Sequence, residues 1–248
     1  MTLREFFHEY PRTALAFSGG VDSAYLLYSA VQAGAKVKAY YVKSDFQPEF
    51  ELQDALRLAR ELGAEMEVLP VDVLCEDAIT ANPKDRCYYC KQKIFGTILK
   101  AAAADGYTVV MDGTNASDDS GDRPGMRALR EMEVLSPLRL CGLTKAVIRE
   151  ESRKAGLFTW DKPAYACLAT RIPSGEPITA EKLAKTEAAE GWMADQGFRD
   201  FRVRMQDGFA KLQLREADLP LFLEKREQIL TTLKQFYRGV VLDLEVRK

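Results

Sequence analysis

The stretch Thr13-Ala-Leu-Ala-Phe-Ser-Gly-Gly-Val-Asp-Ser23 decides the fold of this chain. Its first half, residues 13–17, is a short apolar run that is typical of a buried strand. From Asp22 to Ala33, apolar residues recur at helical spacing and predict a helix. Two glycines between a strand and a helix let the backbone pass close to an anion, and the helix N-terminus offers unpaired N–H groups. The stretch therefore predicts a phosphate-binding loop; the alternative is a glycine-rich turn capped by Ser and Asp.

Side chains of this loop complete the predicted phosphate site. Ser18 and Ser23 supply hydroxyl donors, while Gly19 and Gly20 leave room for the anion. Asp22 can hold a magnesium ion that bridges phosphates. The lysine and the spacing of a Walker loop are missing, so the loop belongs to another class of phosphate motif.

Strand-like and helix-like segments alternate on the C-terminal side of the loop. Predicted strands cover residues 13–17, 37–42, 65–71 and 108–111, and predicted helices cover residues 22–33, 50–62, 91–104 and 144–155. Regular alternation predicts an α/β fold with a mainly parallel sheet covered by helices on both faces.

A second, smaller unit is predicted at the C-terminal end. Residues 160–178 contain three prolines and read as a long linking loop. A helix at 179–196, a hairpin around Asp207-Gly208, a helix at 217–236 and a strand at 240–246 follow. We therefore predict three parts: a large domain at 1–160, a linking loop with Cys167 at 161–178, and a small α+β domain at 179–248.

Composition excludes several classes of function. The 248 residues include 35 Lys plus Arg and 37 Asp plus Glu, a net charge of -2 that argues against a nucleic-acid partner held by a broad basic face. No stretch approaches the ~20 apolar residues that span a bilayer, and the first residues lack the apolar core of a signal peptide. We expect a cytoplasmic protein with reduced cysteines and no membrane partner. A single histidine, His8, excludes multi-His zinc chemistry.

Three of the five cysteines form a candidate site. Cys87 and Cys90 are predicted just before a helix, where the helix dipole lowers a thiol pKa, and Cys167 lies in the linking loop. Three thiolates do not complete a structural zinc site, but they can hold a [4Fe–4S] cluster and leave one iron open to an exogenous sulfide. The alternative is that all three are small buried residues. Cys75 and Cys141 lack partners and are interpreted as structural.

Two arginines make a separate argument. Arg202 and Arg204 are two residues apart on a predicted strand, so both side chains point to one face. Paired guanidinium groups suit the phosphate of a mononucleotide, although a solvated strand face would carry the same residues.

The loop resembles the pyrophosphate (PP) loop, Ser-Gly-Gly-x-Asp-Ser, of the N-type ATP pyrophosphatases, which include NAD synthetase, GMP synthetase, argininosuccinate synthetase and tRNA thiolases. The resemblance implies a Rossmann-like PP-loop domain that cleaves ATP between its α and β phosphates and places AMP on an acceptor oxygen. It also implies that Asp112-Gly-Thr114-Asn, which taken alone is only a turn, lines the nucleotide or acceptor site.

A longer set of motifs resembles the LarE family. The PP loop, Asp112–Asn115, Asp122-Arg-Pro-Gly125, Trp160–Gly175 and Arg202-Val-Arg204 occur in one order. LarE proteins are ATP-dependent sulfur transferases that build the nickel-pincer nucleotide of lactate racemase. The resemblance implies that ATP adenylates a carboxylate of pyridinium-3,5-biscarboxylic acid mononucleotide and that sulfur then displaces AMP to leave a thiocarboxylate.

The cysteines match the three-cysteine type of that family. In this type a [4Fe–4S] cluster on Cys87, Cys90 and Cys167 would carry renewable sulfide, whereas single-cysteine members convert their cysteine to dehydroalanine. The resemblance implies that Cys167 and Glu190 are catalytic and that Arg202, Arg204 and Glu190 bind the substrate phosphate. Further candidates are Thr114 for ATP, Lys91 and Arg171 for neutralising carboxylate or phosphate, and an acidic loop with Asp118, Asp119 and Asp122 that is most often only solvated. A homo-oligomer is also implied, and the sulfide source stays open.

Other functions stay open at this point. A tRNA thiolase would share the loop and three cysteines, but it predicts a basic RNA face and usually a lysine in place of Val21. An ammonia-dependent amidotransferase would leave the cysteines incidental, and an ATP-binding regulatory domain would hold the nucleotide without cleaving it. The sulfur-transferase hypothesis requires the three thiols to converge beside the nucleotide.

Overall fold

The computed structural model describes residues 1–118 and 124–247. The described chain forms two compact units: Met1–Val73 with Asp85–Lys162, and Leu74–Lys84 with the chain from Pro163 onward. The segment 74–84 is held in the second unit by backbone pairs, since Gly175 N donates to Asn82 O (2.8 Å) and Ile178 N donates to Thr80 O (2.8 Å).

The helices and strands are numbered in chain order. In the first unit they are α1 (Leu3–Glu9), β1 (Arg12–Ala16), α2 (Val21–Gln32), β2 (Lys36–Lys43), α3 (Glu49–Glu61) and β3 (Glu65–Pro70), then α5 (Arg86–Ala104), β4 (Val110–Met111), α6 (Pro124–Glu131), α7 (Pro137–Leu140) and α8 (Lys145–Lys154). The second unit has α4 (Asp77–Thr80), α9 (Ala180–Asp195), β5 (Arg202–Gln206), β6 (Phe209–Gln213), α10 (Leu219–Glu224), α11 (Arg226–Leu233) and β7 (Gly239–Leu242). Short 3-10 helices cover Phe158–Asp161, Leu168–Arg171 and Glu216–Asp218.

The first unit is an α/β fold with a four-stranded sheet of order β3-β2-β1-β4, in which every neighbouring pair is parallel. Its core lies where α2 packs on this sheet: Leu26, Leu27 and Ala30 are fully buried at helical spacing, together with Leu15 of β1. The predicted fold class, with a parallel sheet in a Rossmann-like domain and a further small sheet, is confirmed.

The second unit contains a three-stranded sheet of order β5-β6-β7. The predicted hairpin is confirmed, because β5 and β6 pair antiparallel around Asp207-Gly208, where both residues have positive φ. The last strand, β7, pairs parallel to β6 and ends at Leu242 rather than at residue 246. Thr179 caps α9 as expected, since its hydroxyl accepts from Lys182 N (3.2 Å).

Two predicted helices have different bounds in the structure. The helix expected at 91–104 begins at Arg86, so Cys87 and Cys90 lie inside its first turns and not before it. Packing against α6 explains the early start: Tyr88 donates to Glu131 (2.6 Å) and stacks with Arg127 (4.1 Å). The helix expected at 217–236 is divided at Lys225, whose backbone leaves the helical region at φ -94 and ψ 9.

Several short helices were not predicted. Thr2 and Glu5 form a capping box at the start of α1, and this signal was present in the sequence. Within residues 1–118 and 124–247, no helix has both the length and the hydropathy to cross a bilayer.

Candidate functional site

The phosphate-binding loop joins β1 to α2. Gly19 has φ +71, and a Cβ on it would lie 3.1 Å from Ala55 Cβ and 3.3 Å from Glu51 O, so both the conformation and the space require glycine. Gly20 is the N-cap of α2. The Ser18 and Ser23 hydroxyls lie 3.1 Å apart, and Ser23 Oγ contacts Gly20 O (3.2 Å), which fixes the loop on the first turn of the helix.

The chain after β4 approaches the start of α2. A Cβ on Gly113 would lie 2.9 Å from Ser23 N, so only glycine permits this approach. Asp112 is buried and accepts hydrogen bonds from the hydroxyls of Thr114 (2.5 Å) and Ser136 (2.7 Å). Since β4 lies on one side of β1 and β2 on the other, the loop and Asp112–Thr114 meet at the carboxyl edge where the strand order reverses, which is where ligands bind in such sheets.

Asp22 has one carboxylate oxygen ready for a cation. Its Oδ2 accepts from Lys145 Nζ (2.5 Å), while its Oδ1 is buried and accepts no hydrogen bond from any described residue. Burial raises the pKa of Asp22, and the Lys145 ammonium opposes this shift. A buried carboxylate oxygen without a donor, next to a phosphate-binding loop, fits a Mg²⁺ ligand.

Lys145 is a site residue that the sequence analysis missed. It was assigned only to a helix, and its partner Asp22 is 123 positions away in the chain. The sequence did contain a local signal. Lys145 is the first residue of α8, where a positive charge is unfavourable because it repels the positive end of the helix dipole, and the first turn of α8 has no acidic residue. A lysine at such a position indicates a partner elsewhere in the chain or in a ligand.

The cysteine pair lies on α5, next to Lys91 in the chain. Cys87 is exposed, Cys90 is half-buried, and their spacing of three residues on α5 places them on one helix face. Burial lowers the pKa of Lys91, and the opposing charges are Asp112, the two cysteines and Asp118. Lys91 therefore lies within electrostatic reach of both the cysteine pair and Asp112.

The predicted acidic loop is described only in part. Asp118 accepts from Asn115 N (2.8 Å), and Arg139 donates to Asp118 O (2.6 Å). Asp119 and Asp122 lie outside the described residues.

In the second unit, Glu190 of α9 forms a buried bidentate pair with Arg171. The two bonds are 2.8 Å from Nε to Oε1 and 2.9 Å from Nη2 to Oε2. Glu190 also accepts from Val203 N (2.8 Å) and from the Tyr165 hydroxyl (2.5 Å). With four donors on one carboxylate, the charged form of Glu190 is fully hydrogen-bonded.

Arg202 and Arg204 of β5 lie beside this pair. Arg202 is buried and donates to Phe201 O (2.5 Å) and Ala164 O, while Arg204 donates to Gln213 Oε1 (2.6 Å) and Thr170 O (2.5 Å). Burial, followed by the repulsion of Arg171, lowers the pKa of both arginines, and that of Arg202 falls to about 10. We call Arg171, Arg202 and Arg204 the arginine cluster. Arg202 Nη1 also lies 3.5 Å from Asp200 Oδ1, which pairs with Arg247 at 3.0 Å. Four guanidinium groups thus face two carboxylates, those of Glu190 and Asp200, and the excess positive charge suits an anion.

Cys167 precedes the 3-10 helix Leu168–Arg171 and is half-buried. Its carbonyl accepts from Thr170 Oγ1 (2.8 Å), and its thiol lies within electrostatic reach of Arg171. The second unit thus brings together Cys167, Glu190 and the arginine cluster.

The predicted three-cysteine set is divided between the units. Cys87 and Cys90 belong to the first unit and Cys167 to the second. Over residues 1–118 and 124–247, no three Cys, His, Asp or Glu side chains are grouped as ligands of one metal ion. A cluster on these three thiols stays a prediction.

Comparison with known proteins shows the family. The profile described as "Queuosine biosynthesis protein QueC" matches residues 12–86, which include the phosphate-binding loop. The pyridinium-3,5-bisthiocarboxylic acid mononucleotide synthase of Lactiplantibacillus plantarum is 32% identical over 236 residues, covering 94% of this chain and 86% of that protein. The chain belongs to the LarE family. A relative in Synechocystis sp., described as an uncharacterized protein, is 36% identical and the match covers 98% of this chain and 92% of that protein.

A more distant likeness covers less of the chain. The tRNA-specific 2-thiouridylase of Thermotoga sp. is 28% identical over 48% of this chain and 40% of that protein. As a LarE-family member, the chain is an enzyme of the ATP pyrophosphatase superfamily, and this membership implies the use of ATP and Mg²⁺.

Proposed function

We propose that this enzyme transfers sulfur to a carboxylate of pyridinium-3,5-biscarboxylic acid mononucleotide after activating that carboxylate with ATP. The observation that carries the proposal is the arginine cluster beside Cys167: an ATP pyrophosphatase whose second unit holds an anion site next to a thiol is equipped for a phosphate-bearing acceptor and a sulfur donor. The synthase of L. plantarum, which matches nearly the whole chain, is named for the corresponding product.

Residues of the first unit would bind and orient ATP. The N–H groups at the start of α2 and the hydroxyls of Ser18 and Ser23 face the phosphates, and Thr114 stays fixed to Asp112 at the edge of the nucleotide site. Asp22 Oδ1 would hold Mg²⁺, which neutralises charge on the leaving pyrophosphate. Lys145, released from Asp22, then has its ammonium available for a phosphate oxygen.

The proposed reaction has two chemical steps. A substrate carboxylate oxygen attacks the α phosphorus of ATP, the bond to the β phosphate breaks, and pyrophosphate leaves. Hydrosulfide then attacks the acyl carbon, AMP leaves with the carboxylate oxygen, and a thiocarboxylate and a proton remain. Arg202 and Arg204 would hold the substrate phosphate, Arg171 would neutralise remaining negative charge, and Glu190 would fix the arginines through its four hydrogen bonds.

The sulfur would be carried by the cysteines. We propose Cys167, next to the anion site, as the thiol at the acceptor, and Cys87 with Cys90 as its partners in a renewable [4Fe–4S] carrier. Lys91 would balance negative charge at the pair. Neither the adenylation nor the displacement of AMP requires the cluster, which stays a prediction. A homo-oligomer and a cytoplasmic location remain predictions.

The test is a turnover assay with purified enzyme, Mg²⁺, ATP, a sulfide source and pyridinium-3,5-biscarboxylic acid mononucleotide. We expect pyrophosphate release that depends on the mononucleotide, and a product whose mass shows the exchange of oxygen for sulfur. Pyrophosphate release that depends instead on bulk tRNA would favour a thiolase. Release that depends on a different carboxylate substrate, with ammonia as the nucleophile, would favour an amidotransferase. ATP binding without pyrophosphate release under every condition would refute all three enzymes.

A further inference from the structure

The segment that carries Cys167 is held by the arginine cluster itself. We call residues 163–171 the cysteine segment. Arg202 donates to Ala164 O, Arg171 Nη1 donates to Ala166 O (3.0 Å), and Arg204 donates to Thr170 O (2.5 Å). Each arginine of the cluster therefore has two roles. It is proposed to bind the substrate phosphate or another negative charge of the substrate, and it fixes a backbone carbonyl within three residues of Cys167.

Tyr165 connects these contacts. Its ring centroid lies 4.7 Å from Arg171 Cζ and 5.2 Å from Arg202 Cζ, and its hydroxyl donates to Glu190 Oε2 (2.5 Å). Arg171 and Arg202 repel each other, and the electron-rich ring is attracted to both cations. Tyr165 thus stabilises two like charges side by side and is itself two residues from Cys167.

We propose that Tyr165 is a positioning residue that sets the place of Cys167 relative to the phosphate site. This inference rests on the proposed function, because it takes the arginine cluster as the phosphate site. Without the ring, Arg171 and Arg202 lose a shared partner and move apart. Their carbonyl contacts to the cysteine segment then weaken, so the anion site and the thiol loosen together.

Two variants of Tyr165 and one control separate the contributions. Tyr165→Leu removes both the ring and the hydroxyl, while Tyr165→Phe keeps the ring over the arginines and loses only the bond to Glu190. Tyr237→Phe is the matched control: Tyr237 is also in the second unit, with Lys185 over its ring (5.7 Å) and its hydroxyl near Thr186 (3.3 Å). Lys185 and Thr186, its partners in these contacts, lie outside the cysteine segment.

Two readouts are taken on each full-length variant. The first is the alkylation rate of Cys167 by iodoacetamide, resolved by peptide mass spectrometry, with half-buried Cys141 of the first unit as the internal reference. The second is the affinity for nicotinic acid mononucleotide, a pyridinium mononucleotide probe, measured by calorimetry. For Tyr165→Leu we expect Cys167 to react about fivefold faster and the probe to bind about tenfold more weakly, with Cys141 unchanged. Tyr165→Phe should recover most of both effects, and Tyr237→Phe should match the wild type.

Several results would overturn the proposal. In Tyr165→Leu, an unchanged Cys167 rate, whether or not the probe affinity falls, would show that Tyr165 does not position the thiol. An equal rise at Cys141 and Cys167 would reveal general loosening instead of positioning. If the wild type binds no probe, the phosphate site in the proposed function is wrong, whereas the Cys167 rate in Tyr165→Leu still decides whether Tyr165 holds the cysteine segment.

Discussion

At the residue scale, the site consists of local and distant pairings. Ser18, Gly19 and Ser23 could be predicted from the sequence because their roles follow from a short motif between a strand and a helix. The partnership of Lys145 with Asp22 could not, because it joins positions 123 residues apart. Tyr165 was missed for a similar reason: its hydroxyl bond to Glu190 spans 25 residues and depends on the packing of α9.

Gly19 and Gly34 form a matched pair for testing the loop. Both have positive φ, +71 and +72, so alanine at either position should cost about 1–2 kcal/mol in free energy of unfolding. Only Gly19 is also crowded, because a Cβ there would press on Ala55 and Glu51, whereas nothing lies within 4 Å at Gly34. Gly19→Ala should therefore weaken ATP binding at least about tenfold, with Gly34→Ala unchanged, as measured by calorimetry and denaturant unfolding. Equal ATP affinities would contradict the proposed loop geometry.

The buried Asp22 carboxylate is expected to lower the stability of the folded protein while it supports Mg²⁺-dependent ATP cleavage. Because burial raises the pKa of Asp22 in the folded state, its ionised carboxylate is less favourable there than in the unfolded chain. Asp22→Asn should therefore unfold at an equal or higher temperature near neutral pH, and yet lose Mg²⁺-dependent ATP cleavage. This stability difference should shrink as the pH falls through the raised pKa of Asp22, where the wild-type carboxyl also becomes neutral.

Lys145→Met provides the opposite control for Asp22→Asn. It leaves the buried Asp22 carboxylate without its counter-charge, so the unfolding temperature near neutral pH should fall. A scan of melting temperature against pH for both variants checks the two signs. A clear drop in stability for Asp22→Asn near neutral pH would show that the Lys145 pair outweighs burial.

At the element scale, the helices and the hairpin that are bounded by N-caps or by a tight turn could be predicted from the sequence. The N-caps Thr144 and Thr179 and the Asp207-Gly208 turn place α8, α9 and the hairpin close to their expected bounds. The start of α5 and the break at Lys225 depend on tertiary contacts instead. Lys225 donates to Gln196 at the end of α9 (3.0 Å), and this contact has no signature in the sequence around residue 225.

The early start of α5 gives the cysteine pair a testable property. Since Cys87, Cys90 and Lys91 all lie in its first turns, Lys91 places a positive charge within electrostatic reach of both sulfur atoms. Lys91→Gln should slow alkylation of both cysteines by the anionic reagent iodoacetate by about threefold, because the attraction of the reagent is lost, while Lys100→Gln, on the exposed part of the same helix, should have no effect. Peptide-resolved alkylation kinetics measure this directly. Unchanged alkylation rates in Lys91→Gln would mean that the Lys91 charge does not affect the cysteine pair and acts only on groups near Asp112.

At the scale of the whole molecule, the chain passes between its two units three times, at 73–74, 84–85 and 162–163. The phosphate-binding loop and Asp22 belong to the first unit, and the arginine cluster and Cys167 belong to the second. The sequence could predict which residues are chemically suited to each task. It could not predict that segment 74–84 pairs with residues 172–178, since these contacts cross 90 positions or more.

The three-cysteine hypothesis makes a demand on both units, because a cluster on Cys87, Cys90 and Cys167 needs ligands from each. Protein purified without oxygen should contain iron and labile sulfide, and both should be lost in Cys87→Ala and in Cys167→Ala. Cys141→Ala is the matched control, since Cys141 is half-buried and is not one of the proposed cluster ligands. A ligand set drawn from two units should also couple their unfolding, so the loaded protein should melt in one transition at a higher temperature than the metal-free protein. Iron retained in Cys167→Ala would show that Cys167 is not a ligand of the cluster. Dehydroalanine at position 167 after turnover would show that Cys167 gives up its own sulfur.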